Sequence, residues 1–253
     1  MSARPVPSGA LPVSLASAFD SVRFAQSVGM EPDSWQGDVL RSPATRMLLN
    51  CSRQSGKSTT AAVLALHKAV HHAGSLVLVV SPSLRQSSEL FRVISRLHGR
   101  LGTPANAANL HEMQLANGSR ILSLPGSEAT IRGHSGVSLL ILDEAARVPD
   151  ELFFATMPML ATTGGTLVAM STPFGRRGWF SDAWHGPNEW KRVKIPATEV
   201  PRISPAFLAE QRRTMGAYWF DQEYMCSFED ADVSAFRSED LDRARRPVER
   251  WAL

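Results

Sequence analysis

The stretch that most limits what this chain can fold into is Arg46 to Thr60, RMLLNCSRQSGKSTT. Met47, Leu48 and Leu49 form a short apolar run of the length of a buried central strand. Small and polar residues follow, then Gly56-Lys57-Ser58. After Thr59 the text turns to helix formers, Ala61, Ala62, Leu64, Ala65 and Leu66. Strand, tight loop and helix is the setting in which successive backbone N–H groups and the positive end of a helix converge on an anion. In that setting Lys57 adds a point charge on outer phosphates, and the Ser58 hydroxyl ligates Mg²⁺. The standard spacing asks for Gly six positions before the lysine, where this chain has Cys51. Taken alone, the loop also reads as an ordinary strand-to-helix turn with a solvated lysine.

A second stretch separates the two readings. Leu139-Leu140-Ile141-Leu142 is a buried apolar strand that ends on Asp143 and Glu144. Unpaired carboxylates beside a core are costly, so two of them there call for a function. In nucleotide hydrolases the first carboxylate holds the Mg²⁺ shell and the second orients and deprotonates the attacking water. The two stretches together point to hydrolysis of a nucleoside triphosphate.

The chain has 253 residues, 43% of them hydrophobic, enough for one well-filled core with a small appendage. A formal charge of +3 tolerates a nucleic-acid partner without arguing for one. A disulfide at Cys51 would obstruct the loop, which favours a reducing compartment for Cys51 and Cys226. No apolar run approaches the roughly 20 residues that span a bilayer, and the first residues lack the pattern of a secretion signal. A cytosolic protein is expected, with no membrane partner.

Residues 1–12, rich in Pro, Ser and Gly, are expected to be disordered. One short helix is expected from Ser14 to Val28. Trp35-Gln36 precedes the first core strand. The Gln36 amide could read an adenine edge, or the segment could be a helix start capped by Asp33 or Ser34. Leu76 to Val80 reads as a second buried strand. Arg85 to Arg100 reads as a helix whose Arg92, Arg96 and Arg100 could track a phosphate backbone or simply face water. His67 and His71 stand at metal-ligand spacing and read as surface histidines. Glu112 to Leu124 reads as a hairpin turning at Asn117-Gly118. Gly126 to Gly136 is a loop containing Arg132. Thr166 to Met170 and Trp190 to Ile195 read as further strands, with Ser171-Thr172-Pro173 after the first of them. Strands alternating with helices predict an α/β, RecA-like fold with a mostly parallel central sheet over 13–200. Residues 201–253 are expected to form a small helical appendage, with helices over Pro205 to Met215 and Tyr218 to Cys226.

With these residues in order, the chain resembles the ATPase part of the large terminase subunit, the DNA-packaging motor of tailed phages. The resemblance rests on Trp35-Gln36, Ser52-Arg53-Gln54-Ser55-Gly56-Lys57-Ser58, Ile131-Arg132-Gly133, Leu139 to Glu144, Ser171-Thr172-Pro173 and Phe220-Asp221-Gln222-Glu223-Tyr224 with Phe228. It implies ATP and Mg²⁺ as cofactors, held by Gln36 and the loop from Ser52 through Arg53, Gln54, Ser55, Gly56, Lys57 and Ser58 to Thr59. Gln36 would meet the adenine and Arg53 the γ-phosphate. Lys57 would serve the phosphates, Ser58 and Asp143 the metal. Glu144 would activate water and Arg132 would be offered to a neighbouring subunit. Ser171, Thr172 and Pro173 would couple hydrolysis to movement. The implied partners are double-stranded DNA, further copies in a homo-oligomeric ring, the portal and the small terminase subunit, in the cytosol of a host cell. The family usually carries a second, nuclease domain, and the polar tail after Phe228 offers no strands for one. Two other readings compete: a helicase-like remodelling ATPase, and a non-hydrolysing nucleotide-binding component of a ring.

Overall fold

A computed structural model describes residues 15–103, 105–126, 131 and 133–229. The expectations for residues 1–12, for Arg132 and for the tail beyond residue 229 lie outside the described residues.

The apolar runs become one sheet. Its described strands are β1 (Arg46–Cys51), β2 (Leu76–Ser81), β3 (Ala105–Ala108), β4 (Glu112–Leu115), β5 (Arg120–Pro125), β6 (Val137–Asp143), β7 (Thr166–Ser171) and β8 (Lys191–Ile195). They lie in the order β3-β4-β5-β2-β6-β7-β1-β8. From β5 to β8 every neighbour pair is parallel, and β3 and β4 add an antiparallel margin. The described helices are α1 (Leu15–Phe19), α2 (Ser21–Ser27), α3 (Ser34–Leu40), α4 (Lys57–His71), α5 (Leu84–Gly99), α6 (Asp150–Thr156), α7 (Gly178–His185) and α8 (Pro205–Glu223).

Successive strand residues point to opposite faces, so a strand covered on both sides has to be apolar throughout. Met47, Leu49, Val77, Val79, Ile141, Val168 and Met170 pack on one face with residues of α2 to α5. Leu48, Leu78, Val80, Leu140, Leu142, Leu167 and Ala169 pack on the other with α6 and α7. Each such side chain contributes about 1.5–3 kcal/mol on leaving water, and the two clusters fix the sheet in register. This is the mostly parallel, RecA-like α/β fold expected.

Several local expectations need correction. The segment after Ser14 is two helices, because the Asp20 carboxylate accepts the Val22 N–H at 3.0 Å and starts α2 afresh. The short edge strand β3 was not anticipated, since its Ala-Asn-Ala-Ala sequence carries no strand signature. His67 and His71 are half-buried against Phe24, with ring centroids 5.3 Å from it. Arg92 and Arg96 on α5 and Arg100 at its end all stay exposed; Arg100 donates to the carbonyls of Val28 and Gly29, and Arg92 pairs with Glu89. The two expected C-terminal helices are there, parted at Gly216 by a φ of 77° and ψ of 168° within the element Pro205–Glu223 (α8), and only the end differs, at Glu223 rather than Cys226. Its Leu208 and Phe220 form a small cluster with Ala197. Among the described residues no helix is long and apolar enough to cross a membrane.

Candidate functional site

All the buried parallel strands end at one rim, and β1, β6 and β7 lie side by side there as β6-β7-β1. The loop between β1 and α4 opens at a point where chain order and sheet order part company. Beside β1 lie β7 and β8, while the next strand in sequence, β2, is three positions away. Such a switch point leaves a crevice at the carboxyl ends of the strands.

The loop is held open by backbone geometry. Gln54 and Gly56 have positive φ, 60° and 97°. The φ of 97° at Gly56 strains any side chain, and a Cβ there would also displace the Gln36 amide, whose Nε2 it would meet at 2.7 Å. Ser52 N donates to Ile195 O at 2.9 Å, and Arg53 N to Glu223 O at 3.3 Å. Among the described residues the N–H groups of Gln54, Ser55 and Gly56 meet no backbone acceptor. They and the first turn of α4 form an anion-receptive nest.

Lys57 and the two carboxylates meet across the rim. The Lys57 side chain is 11% exposed, and its Nζ lies 3.8 Å from Glu144 Oε1. The other Glu144 oxygen lies 4.0 Å from Arg147 Nε. Glu144 itself has left-handed backbone, φ 51° and ψ 42°, an arrangement that costs about 1–3 kcal/mol for a non-glycine residue. Its N–H donates to Asp143 Oδ1 at 3.0 Å. Burial, reinforced by the neighbouring Glu144 charge, pushes the Asp143 carboxyl up to about 6.

The donor set suits a divalent cation. Asp143 is buried, and its charge is penalised there until a positive ion arrives. Close along the same rim, the hydroxyls of Ser52, Ser81 and Ser171 and Asn50 Oδ1 are buried without a hydrogen-bond partner among the described residues. Orphaned oxygens at the mouth of a phosphate loop are what a hydrated hard cation and its phosphates would satisfy.

Gln36 is buried, and its amide is used twice within the chain. Its Oε1 accepts the Asp33 N–H at 2.8 Å, which caps α3, and its Nε2 reaches Gly56 O at 3.4 Å. Arg53 is engaged within the chain, its Nε 2.5 Å from Glu223 Oε2 at the end of α8. Ser58 and Thr59 open α4, with Thr59 N bonded to Gly56 O at 3.1 Å. Ser171 ends β7 opposite Asn50 of β1, and Thr172 and Pro173 follow it buried. The structure thus brings together Gln36, the loop, Lys57, Asp143, Glu144 and the Ser171 turn.

Other residues there were not found from sequence. Arg202 donates to Ser55 O at 2.9 Å and pairs with Asp33 at 2.9 Å. Gln222 Oε1 accepts the Gly175 N–H at 3.1 Å, and Glu223 holds Arg53. Gln222 and Glu223 lie within the Phe220 to Tyr224 stretch that carries the resemblance, which gave them no role, and nothing in the sequence marked Arg202.

A family model described as "Terminase large subunit, T4likevirus-type, N-terminal" matches residues 48–243, most of the chain. The chain belongs to the large terminase subunit family. A large terminase subunit of Thermus virus P23-45 is 29% identical over 213 residues, covering 74% of this chain and 43% of that protein. The chain therefore spans less than half the length of that curated relative. Among solved structures, the large terminase ATPase domain of Thermus phage P74-26 superposes with a TM-score of 0.71 at 24% identity, covering 83% of this chain and 98% of that one. The large terminase of a thermophilic bacteriophage, in complex with ATP-gamma-S, gives a TM-score of 0.65 at 12% identity over 78% of this chain and 52% of that one. These structures share the fold of the terminase chain described here.

Proposed function

We propose that the chain is the ATP-hydrolysing part of a large terminase subunit, driving double-stranded DNA into a phage procapsid within the host cytosol. The observation that carries the reading is the meeting of Lys57, Glu144 and Asp143 at one rim, with Lys57 Nζ 3.8 Å from Glu144 Oε1 beside a loop of unpaired N–H groups. The family membership supports it, as does the ATP-gamma-S bound by the thermophilic phage terminase of like fold.

The residue roles follow from charge and position. The loop from Ser52 to Thr59 cradles the phosphates, and Lys57 leaves Glu144 for the outer phosphates when they arrive. That exchange frees Oε1 of Glu144 to take a proton from the attacking water. Ser58 and Asp143 would hold Mg²⁺, which supplies charge neutralisation between the phosphates when bound. Arg53 exchanges its bond with Glu223 for the γ-phosphate. Gln36 supports the adenine side, giving up its contact with Gly56 O to do so. Ser171, Thr172 and Pro173 pass the change onward, and Arg132 is offered to the next subunit of a homo-oligomeric ring. The portal and the small terminase subunit complete the assembly.

Steady-state ATP turnover tests the assignment. Lys57→Ala should lower the rate by about 100-fold or more, the scale for losing one electrostatic contact to a developing charge, while far-UV spectra stay unchanged. Turnover within threefold or so of the wild type would reject it.

A further inference from the structure

Among the described residues Glu144 has two cationic partners, and the proposed reaction uses only Lys57. The other is Arg147. The two belong to one tight turn: Arg147 N donates to Glu144 O at 2.9 Å across the 3₁₀ segment Ala145–Arg147. The Arg147 side chain folds back so that Nε stands 4.0 Å from Glu144 Oε2. Its guanidinium carbon also lies 4.1 Å from the centre of the Phe174 ring. Phe174 follows Pro173, and the guanidinium of Arg177 lies over the same ring at 4.6 Å. The next residue, Gly175, is tied by its N–H to Gln222 of α8. Arg147 is therefore gripped by a ring that is itself anchored on both sides.

We infer that Arg147, seated on Phe174, is the positioning residue for the carboxylate of Glu144; this rests on reading Glu144 as the base. When phosphates draw Lys57 from Oε1, Arg147 is the cation that stays with Oε2. It holds the carboxylate plane while Oε1 faces water. The planar guanidinium is needed, because one group must face a carboxylate and an aromatic ring at once. A lysine keeps the charge and loses the seat.

The test uses ATP turnover by the whole chain with Arg147→Ala, Arg147→Lys, Phe174→Leu and the Arg147→Ala/Phe174→Leu double variant. Arg147→Ala and Phe174→Leu should each lower kcat at least about fivefold, with KM for ATP within about twofold, since misplaced reacting groups cost rate rather than binding. The double variant should be no slower than the worse single variant, because both changes release the same carboxylate. Arg147→Lys should match Phe174→Leu. A smaller loss in Arg147→Ala, a loss that multiplies with Phe174→Leu, or a change confined to KM would overturn the inference. Should Arg147→Ala fail to fold, Arg147→Gln takes its place, with the same limits. Wild type and Lys57→Ala run alongside. A silent wild type takes down the base assignment and the inference together. A wild type that Lys57→Ala silences and Arg147→Ala leaves intact takes down the inference alone.

Discussion

Gly56 shows how closely single residues determine this site. Its φ of 97° excludes most side chains, and a Cβ would approach Gln36 Nε2 to 2.7 Å. Gly56→Ala should thus cost about 1–3 kcal/mol of stability and weaken nucleotide binding, since the backbone is strained there and the methyl group displaces the Gln36 amide. Denaturant unfolding alongside an ATP titration checks both, and an unchanged midpoint would remove the argument for a strained loop. At this scale Lys57, Asp143 and Glu144 were legible because their chemistry is written in adjacent letters. Glu223 was not, standing 170 positions from the Arg53 it holds. Arg202 likewise reaches Ser55 across 147 positions. Single side chains meeting over such separations leave no periodicity to read, and nothing in the sequence singled out Arg147.

The central strands were legible as elements because each is buried on both faces, which leaves an unbroken apolar run. The Asn117-Gly118 hairpin was legible from its turn chemistry, Gly118 taking a φ of 81°. What the turn residues did not reveal is that Asn117 Nδ2 also donates to the carbonyls of Ala69 and Val70 near the end of α4. The same helix end carries a pH-dependent contact. Burial, followed by the neighbouring His67 and His72 charges, holds the His71 imidazole down at about 4, against its ordinary 6.5. Burial also lowers His67, which like His71 meets Phe24 edge-on, lies tilted against His71 and faces Ser17 O of α1. A histidine lowered on folding favours the neutral form, so the stabilising contribution is complete above pH 6.5 and is lost as pH falls toward 4. After screening at this half-buried position the loss is about 1–2 kcal/mol. Thermal midpoints between about pH 7 and pH 4 should fall less steeply in His71→Phe than in the wild type. Identical slopes would show that the ring cluster does not titrate on unfolding.

At the scale of the whole molecule, α8 is where the parts meet. Its last turn offers Gln222 to the loop after Pro173 and Glu223 to the phosphate loop, so two sides of the site share one helix end. On the proposed packaging function, such a site should work in company. Arg132→Ala and Glu144→Gln, each slow alone, should recover turnover when mixed under assembling conditions, because an arginine supplied in trans can be worth about 10³-fold in rate. No recovery at any mixing ratio would leave Arg53 as the arginine of the site. The central claim, that Glu144 is the base of a nucleoside-triphosphatase, is tested most directly by Glu144→Gln with radiolabelled ATP and Mg²⁺. The variant should bind ATP with an affinity near the wild type and retain it unhydrolysed, its single-turnover rate reduced by about 10²–10⁴-fold. Hydrolysis at the wild-type rate, or ATP affinity lost along with turnover, would contradict the account.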